Sequence, residues 1–176
     1  LLDRRQLLER VGAAIRRLID YDLFSVLLWD EKRQMLEPWL SVAREDGAAV
    51  ELPAIPLGVG LCGTAAALRQ PLRVANVHRD PRYVPGAAGF DVRSELAVPL
   101  VYKDRLLGVL DLESLAYDAF TAQHEQLLAT LAGALAVSLE NARLYEQLQE
   151  DERRFREDLA TARQIQRQLL PKTTPW

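Results

Sequence analysis

A chain of 176 residues suits one globular domain with an appendage, and 49% hydrophobic against 27% charged residues is the balance of a packed protein, which excludes wholesale disorder. The formal net charge of −3, from 22 basic and 25 acidic side chains spread along the chain, excludes the concentrated basic face that nucleic acid as a partner would need. Cys62 is the single cysteine, so an internal disulfide is excluded and a reducing, cytoplasmic location is expected.

The opening Leu1-Leu2-Asp3-Arg4-Arg5 lacks the apolar core of a signal sequence, and the missing initiator methionine leads us to expect a chain trimmed at its front. No unbroken apolar run approaches about 18 residues, so no membrane segment is expected. Asp3 is placed to cap a first helix whose apolar positions Leu7, Leu8, Val11, Ile15, Leu18 and Ile19 recur at helical spacing. A strand over 24–29, a turn at 30–33 and a second strand over 35–43 follow, with Pro38 marking an edge or a bulge. A polar loop at 44–49 and an extended piece at 50–55 lead to a helix over 61–69 and a short strand at 72–75. The stretch 78–91, with Pro81, Pro85, Gly86 and Gly89, is irregular and long enough to suggest function. Residues 94–102 and 106–114, joined by Lys103-Asp104-Arg105, form the clearest hairpin. From Thr121 to about Leu170 the sequence reads as one helix of roughly 75 Å. These elements describe an α+β domain: strands joined by turns in an antiparallel sheet, the terminal helices on one face and the middle helix and irregular stretch on the other, enclosing a cavity.

Period-two alternation places Asp111 and Glu113 on one face of their strand, where they can meet a cationic ligand group. Glu95 and Cys62 join them as pocket candidates, and Trp29, Tyr83 and Phe90 are candidate pocket walls. Alternation does not decide whether Trp29, with Ser25 and Leu27, or Phe24, Val26 and Leu28 face the cavity. Gly58-Val59-Gly60-Leu61-Cys62-Gly63 matches the GxGxxG pattern, but Pro53 and Pro56 spoil the buried strand that a dinucleotide site requires before it. His78 and His124 are isolated, and no metal site is expected within the chain.

The helix from Thr121 changes character along its length. Leu127, Leu128, Leu131, Leu135 and Leu139 make a wide apolar stripe; Leu139, Ala142, Tyr145 and Leu148 then follow in steps of three. From Tyr145 the seam Leu148, Glu152, Phe155, Leu159, Ala162, Gln166, Leu169 alternates steps of three and four, the spacing of a two-helix coiled coil. Glu152 and Gln166 would weaken such a coil, which suits a switch whose register a small bias can shift.

The quoted motifs, together with Pro71-Leu72-Arg73-Val74, Asp80-Pro81-Arg82-Tyr83, Arg93-Ser94-Glu95-Leu96-Ala97-Val98-Pro99-Leu100, Gly108-Val109-Leu110-Asp111-Leu112-Glu113-Ser114 and Leu139-Glu140-Asn141-Ala142-Arg143-Leu144-Tyr145, resemble a GAF domain. The resemblance implies a six-stranded antiparallel, PAS-like sheet with helices on both faces and a ligand pocket. It also implies that Glu95, Asp111 and Glu113 occupy positions used for an amine in GAF proteins that reduce free methionine sulfoxide. Those enzymes carry their reactive cysteine in the irregular stretch, where this chain has Gly86-Ala87-Ala88-Gly89-Phe90-Asp91, so Cys62 is expected to be a small core residue. Covalent bilin attachment would need the same missing thiol, and the Asn-Lys pair of cyclic-nucleotide GAF domains is absent. Ala162-Arg163-Gln164-Ile165-Gln166-Arg167-Gln168-Leu169-Leu170-Pro171 resembles the lead-in helix of SpoIIE-like, PPM-type serine phosphatases that act on anti-sigma-factor antagonists.

The resulting expectation is a GAF sensor domain over 1–145, a coiled-coil signalling helix over 146–170 and the start of a linker to a phosphatase domain at 171–176. The fragment is expected to be no enzyme itself, its parent a protein serine/threonine phosphatase, with Mn or Mg only in that further domain. Its partners would be a second copy through the terminal helices, the downstream phosphatase and an unidentified small molecule. The alternatives are a free-methionine-sulfoxide reductase-like enzyme and a ligand-free dimerisation scaffold.

Overall fold

The computed structural model of the chain describes residues 4–170; the cap expected at Asp3 and the linker expected at 171–176 lie outside the described residues. In chain order the elements are α1 (Arg4–Leu18), β1 (Leu23–Asp30), β2 (Met35–Ala43), β3 (Ile55–Pro56), α2 (Gly60–Leu68), β4 (Leu72–Val74), β5 (Ser94–Tyr102), β6 (Arg105–Ser114) and α3 (Ala122–Leu169), with one 3-10 turn at Val77–Arg79. All strand pairs are antiparallel, in the order β3-β2-β1-β6-β5-β4. This is the GAF-like α+β sheet expected from the sequence.

The β1–β2 register slips between Val26 and Leu27, so that Val26 faces Leu40 and Leu27 faces Pro38. Trp39 is the residue left over, and the neighbouring proline tolerates the slip because β3 pairs only with Met35 and Leu36. The two faces of the sheet then part company. Phe24 and Val26 of β1, Leu96 and Val98 of β5 and Leu110 and Leu112 of β6 pack with Leu8 and Ile15 of α1 and Leu128 and Leu135 of α3. Leu27 and Trp29 face the other way, towards α2, which settles what alternation left open. Ala65 and Ala66 bring α2 close to Ala97 and Val109 on that face. A β-carbon at Gly63 would stand 2.5 Å from the Pro56 carbonyl oxygen, so only glycine permits the approach.

Phe120 is buried beside the start of α3, and Thr121 caps the helix: the His124 N–H donates to Thr121 Oγ1 at 3.2 Å while the Thr121 N–H donates to His124 Nδ1 at 3.1 Å. His124 thus fills the place of the acid in a capping box. One 18-residue stretch of α3 is apolar enough to cross a membrane by length and composition, although 39% of it is buried inside the protein. Counting unbroken apolar runs misses such a stretch, because small polar residues dilute it without removing its mean hydropathy. Leu128, Ala132, Leu135 and Ala136 spend its inward side on the sheet.

Packing divides the chain between Glu140 and Asn141, against the boundary after residue 145 drawn from sequence. Leu139 is the last α3 residue in the apolar core, so the compact unit closes there. Taken by itself, the second unit is helical to Leu169 and laced by Glu150–Arg153, Glu150–Arg154 and Glu152–Arg156 ion pairs three or four residues apart. Leu148, Phe155 and Leu169 are exposed on it, at 65%, 64% and 79%.

Candidate functional site

The glycine motif before α2 builds the site. Gly58 and Gly60 have φ of 79° and 68°, conformations that glycine adopts without strain, and the Gly58 N–H donates to the Gly63 carbonyl at 2.8 Å. The chain thereby turns sharply into α2 and sets Cys62 in its first turn, buried against the sheet. The strand before the motif is the two-residue antiparallel β3, which is no dinucleotide-binding strand.

Across from Cys62, the β5–β6 register places Glu95 opposite Glu113 and Ala97 opposite Asp111. Two acids directly opposite on one face repel each other, and both are buried. The Cys62 thiol donates to Glu95 Oε1 at 3.7 Å, and Cys62 Sγ, one Glu95 oxygen and one Asp111 oxygen all lie within 4.8 Å of one another. These three are the residues with the spacing to hold a metal ion. Asp111 Oδ1 is buried without a hydrogen-bond partner among the described residues.

Electrostatics follow from that crowding. Burial, then the charge of Glu113, pushes Glu95 up to about 8, and burial, then Asp111, pushes Glu113 up to about 9. Burial, then the charge of Glu95, raises Asp111 well above the usual carboxylate range. Burial and the facing acids, Asp111 first, raise the Cys62 thiol, so that it resists ionisation. Tyr83 is pushed up to about 12 by burial and by the same acids, Glu113 first.

Cys62, Glu95, Asp111 and Glu113 share a cavity of about 160 Å³, walled by Leu27 and by residues 52–56, 59–61 and 84–86. Among the described residues, no lysine, arginine or histidine lines it. The volume is below the roughly 300 Å³ at which drug-sized sites begin, room for a group no larger than an amino acid. A groove of about 710 Å³ runs along β2 and residues 47–53, but it brings no cluster of buried titratable groups together.

Of the sequence-derived pocket candidates, the fold unites Cys62, Glu95, Asp111 and Glu113. It does not add the aromatics. Trp29 packs beside Leu27 and Cys62 without lining the cavity. Tyr83 and Phe90 line a neighbouring hollow that shares Pro85 with the cavity and includes His78 and Asp91; His78 meets Tyr83 edge-on there. The walls that the sequence did not disclose, Leu52, Pro53, Val84 and Pro85, come from irregular segments with no periodicity to read. Of the coiled-coil candidates, Leu139 belongs to the core and Ala142 is buried, whereas Tyr145, Leu148, Phe155, Leu159, Ala162 and Leu169 are exposed.

The GAF domain family model matches residues 2–140. Free methionine-R-sulfoxide reductase of Escherichia coli K12 is 40% identical over 81 residues, which are 46% of this chain and 48% of that protein. The chain spans about half the length of the curated relatives it matches first. The free methionine-R-sulfoxide reductase of Neisseria meningitidis, solved in complex with its substrate, superposes with a TM-score of 0.64 at 24% identity, covering 81% of this chain and 89% of that one. The GAF domain of a two-component sensor histidine kinase from Bacillus halodurans superposes with a TM-score of 0.67 at 22% identity, covering 81% and 97%. The last two likenesses concern the fold alone.

These relatives correct one expectation. The sequence argued for a fragment with no enzymatic role because the irregular stretch lacks a thiol. The curated relatives at 40% and 34% identity are enzymes. The lack of a thiol in the irregular stretch is therefore too narrow a ground on which to set catalysis aside, because Cys62 is left as the one thiol that could act. The resemblance of residues 162–171 to a phosphatase lead-in rests on sequence alone, beyond the family match that ends at residue 140 and with Pro171 outside the described residues.

Proposed function

This chain belongs to the GAF-domain family, and from that premise we propose that its acid-lined cavity takes a free amino acid of the methionine sulfoxide class and that Cys62 reduces it. One observation carries the reading: three buried carboxyl groups and a thiol converge on an amino-acid-sized cavity whose lining supplies no cation. A buried acid cluster without a counter-charge is costly, and a ligand ammonium group supplies what the protein withholds. The similarity to the Escherichia coli reductase supports the same class of ligand.

The chemistry balances with one cysteine. The Cys62 sulfur takes the sulfoxide oxygen, the S–O bond of the ligand breaks, and the thiol proton ends on the transferred oxygen, leaving a cysteine sulfenic acid and a thioether. One external small thiol displaces water from the sulfenic acid to give a mixed disulfide, and a second regenerates Cys62 and leaves as the external disulfide. Since Cys62 is the only cysteine, the resolving thiol has to come from outside. Burial and the acids keep the thiol protonated until a cationic ligand enters and reverses the local field. Chromatographic measurement of methionine formed from free methionine sulfoxide with dithiothreitol should show turnover that Cys62→Ser abolishes. Equal product from both proteins would overturn the reading.

A second reading concerns output, and the exposed seam of residues 145–169 favours it. Apolar side chains in steps of three and four bury nothing within the second unit. A second copy is the partner that this spacing fits, and the helix would then relay occupancy of the cavity to a downstream domain. The motif at 162–171 supports a PPM-type phosphatase in that place. Light scattering on Phe155→Asp should give a lower mass than the unmodified chain, whereas an unchanged dimer, or a monomer in both, would refute pairing through the seam.

A further inference from the structure

We propose that Cys62, Glu95 and Asp111 form a binding site for a thiophilic divalent metal ion of the zinc class, with its remaining coordination position open to the cavity. Three donor atoms of the right kinds already lie within 4.8 Å of one another. Around one zinc ion, bond lengths of about 2.3 Å to sulfur and about 2.0–2.2 Å to oxygen bring donors to roughly 3.5 Å apart, so the side chains close by about an ångström. The residues come from α2, β5 and β6, elements that pack on one another, so the arrangement is held by backbone and not by flexible loops.

An acid cluster beside a thiol is not by itself a metal site. The independent observation is Asp111 Oδ1, an acceptor on a residue only 2% exposed, in the cavity lining and without a hydrogen-bond partner among the described residues. Once the facing acids are ionised such an atom has no donor, and a cation supplies the missing partner. The sulfur decides which cation: magnesium and calcium prefer oxygen alone, whereas a thiolate with two carboxylates suits zinc or cobalt. Binding sends the thiol proton to solvent and leaves a divalent charge against three anions. The inference stands on this geometry and not on sulfoxide reduction. A metal and a ligand ammonium would compete for the same oxygens, so the two occupants are exclusive.

The probe is cobalt(II), titrated into the intact chain under reducing conditions, followed by zinc competition. The expected result is a near-ultraviolet sulfur-to-cobalt charge-transfer band saturating at one ion per chain and discharged by zinc. Cys62→Ser should lose the band, and Asp111→Asn should keep it at an affinity weaker by about tenfold or more. The band in the unmodified chain reports sulfur ligation even where a variant fails to fold. Its absence would overturn the proposal, as would zinc binding of unchanged strength in Cys62→Ser, which would place the ion at a surface site such as His78 and Asp91.

Discussion

The two faces of one sheet are built from the same strands and have opposite chemistry. On β6, Leu110 and Leu112 enter the apolar core under α1 and α3, while Asp111 and Glu113 enter the cavity under α2. A period of two delivers both outcomes from one decapeptide. The face under the terminal helices gathers the larger apolar core, whereas the other packs Leu27, Ala97 and Val109 against α2 and also buries the carboxyl groups of Glu95, Asp111 and Glu113, which cost part of what that packing contributes. The main apolar core and the acid-lined cavity are thus separated by the thickness of a β-sheet.

The largest effect expected in this comparison lies on the apolar face. Phe24→Ala removes a fully buried ring and should cost roughly 3–5 kcal/mol in chemical denaturation. A cost under about 1 kcal/mol would show that the terminal helices do not carry the fold.

The opposite face should respond with the opposite sign. Glu95 and Glu113 have their carboxyl groups raised from 4.5 to about 8 and about 9 on folding, so between pH 4.5 and those values the folded chain holds more protons than the unfolded one. Stability contributed by these groups is present below pH 4.5 and is lost as pH rises through about 8 to 9. Glu113→Gln should flatten that decline and raise stability at pH 8 by about 1 kcal/mol or more. A thermal-melt series with the same pH dependence in both proteins would break the assignment of cost to the cavity face.

The smallest effect concerns the entry to α3. Thr121→Ala removes the hydroxyl that accepts from the His124 N–H and should cost about 1 kcal/mol while leaving cavity binding unaltered. A change in ligand affinity would show that the two faces are less separate than their packing implies.

Much of this contrast is legible in the sequence. Alternation alone placed Asp111 with Glu113, the hairpin was plain, and the start of the long helix was placed at Thr121. The proximity of Cys62 to Glu95 was not legible from spacing, because it depends on β6 lying between β1 and β5 and on glycines that let α2 settle onto the sheet. Cavity walls at Leu52 and Val84 belong to segments with no period, so no pattern could reveal them. Trp29, Tyr83 and Phe90 drew notice for their size and pack elsewhere: aromatic bulk signals burial without naming the neighbour. Setting catalysis aside came from weighing Cys62 as a solitary core residue, a judgement that required knowing what surrounded it.

The outermost strands have a consequence for how copies of this chain meet. β3 and β4, at opposite rims, are two and three residues long, and the outer margin of β2 beyond β3 is closed at 41–43 by its own loop, where the Val50 N–H donates to the Ser41 carbonyl and the Ala43 N–H to the Ala48 carbonyl. Pro99 removes a donor from β5 past its pairing with β4. Rims this short and interrupted give a foreign strand little continuous ladder to join, which disfavours the stacking of sheets into fibrils.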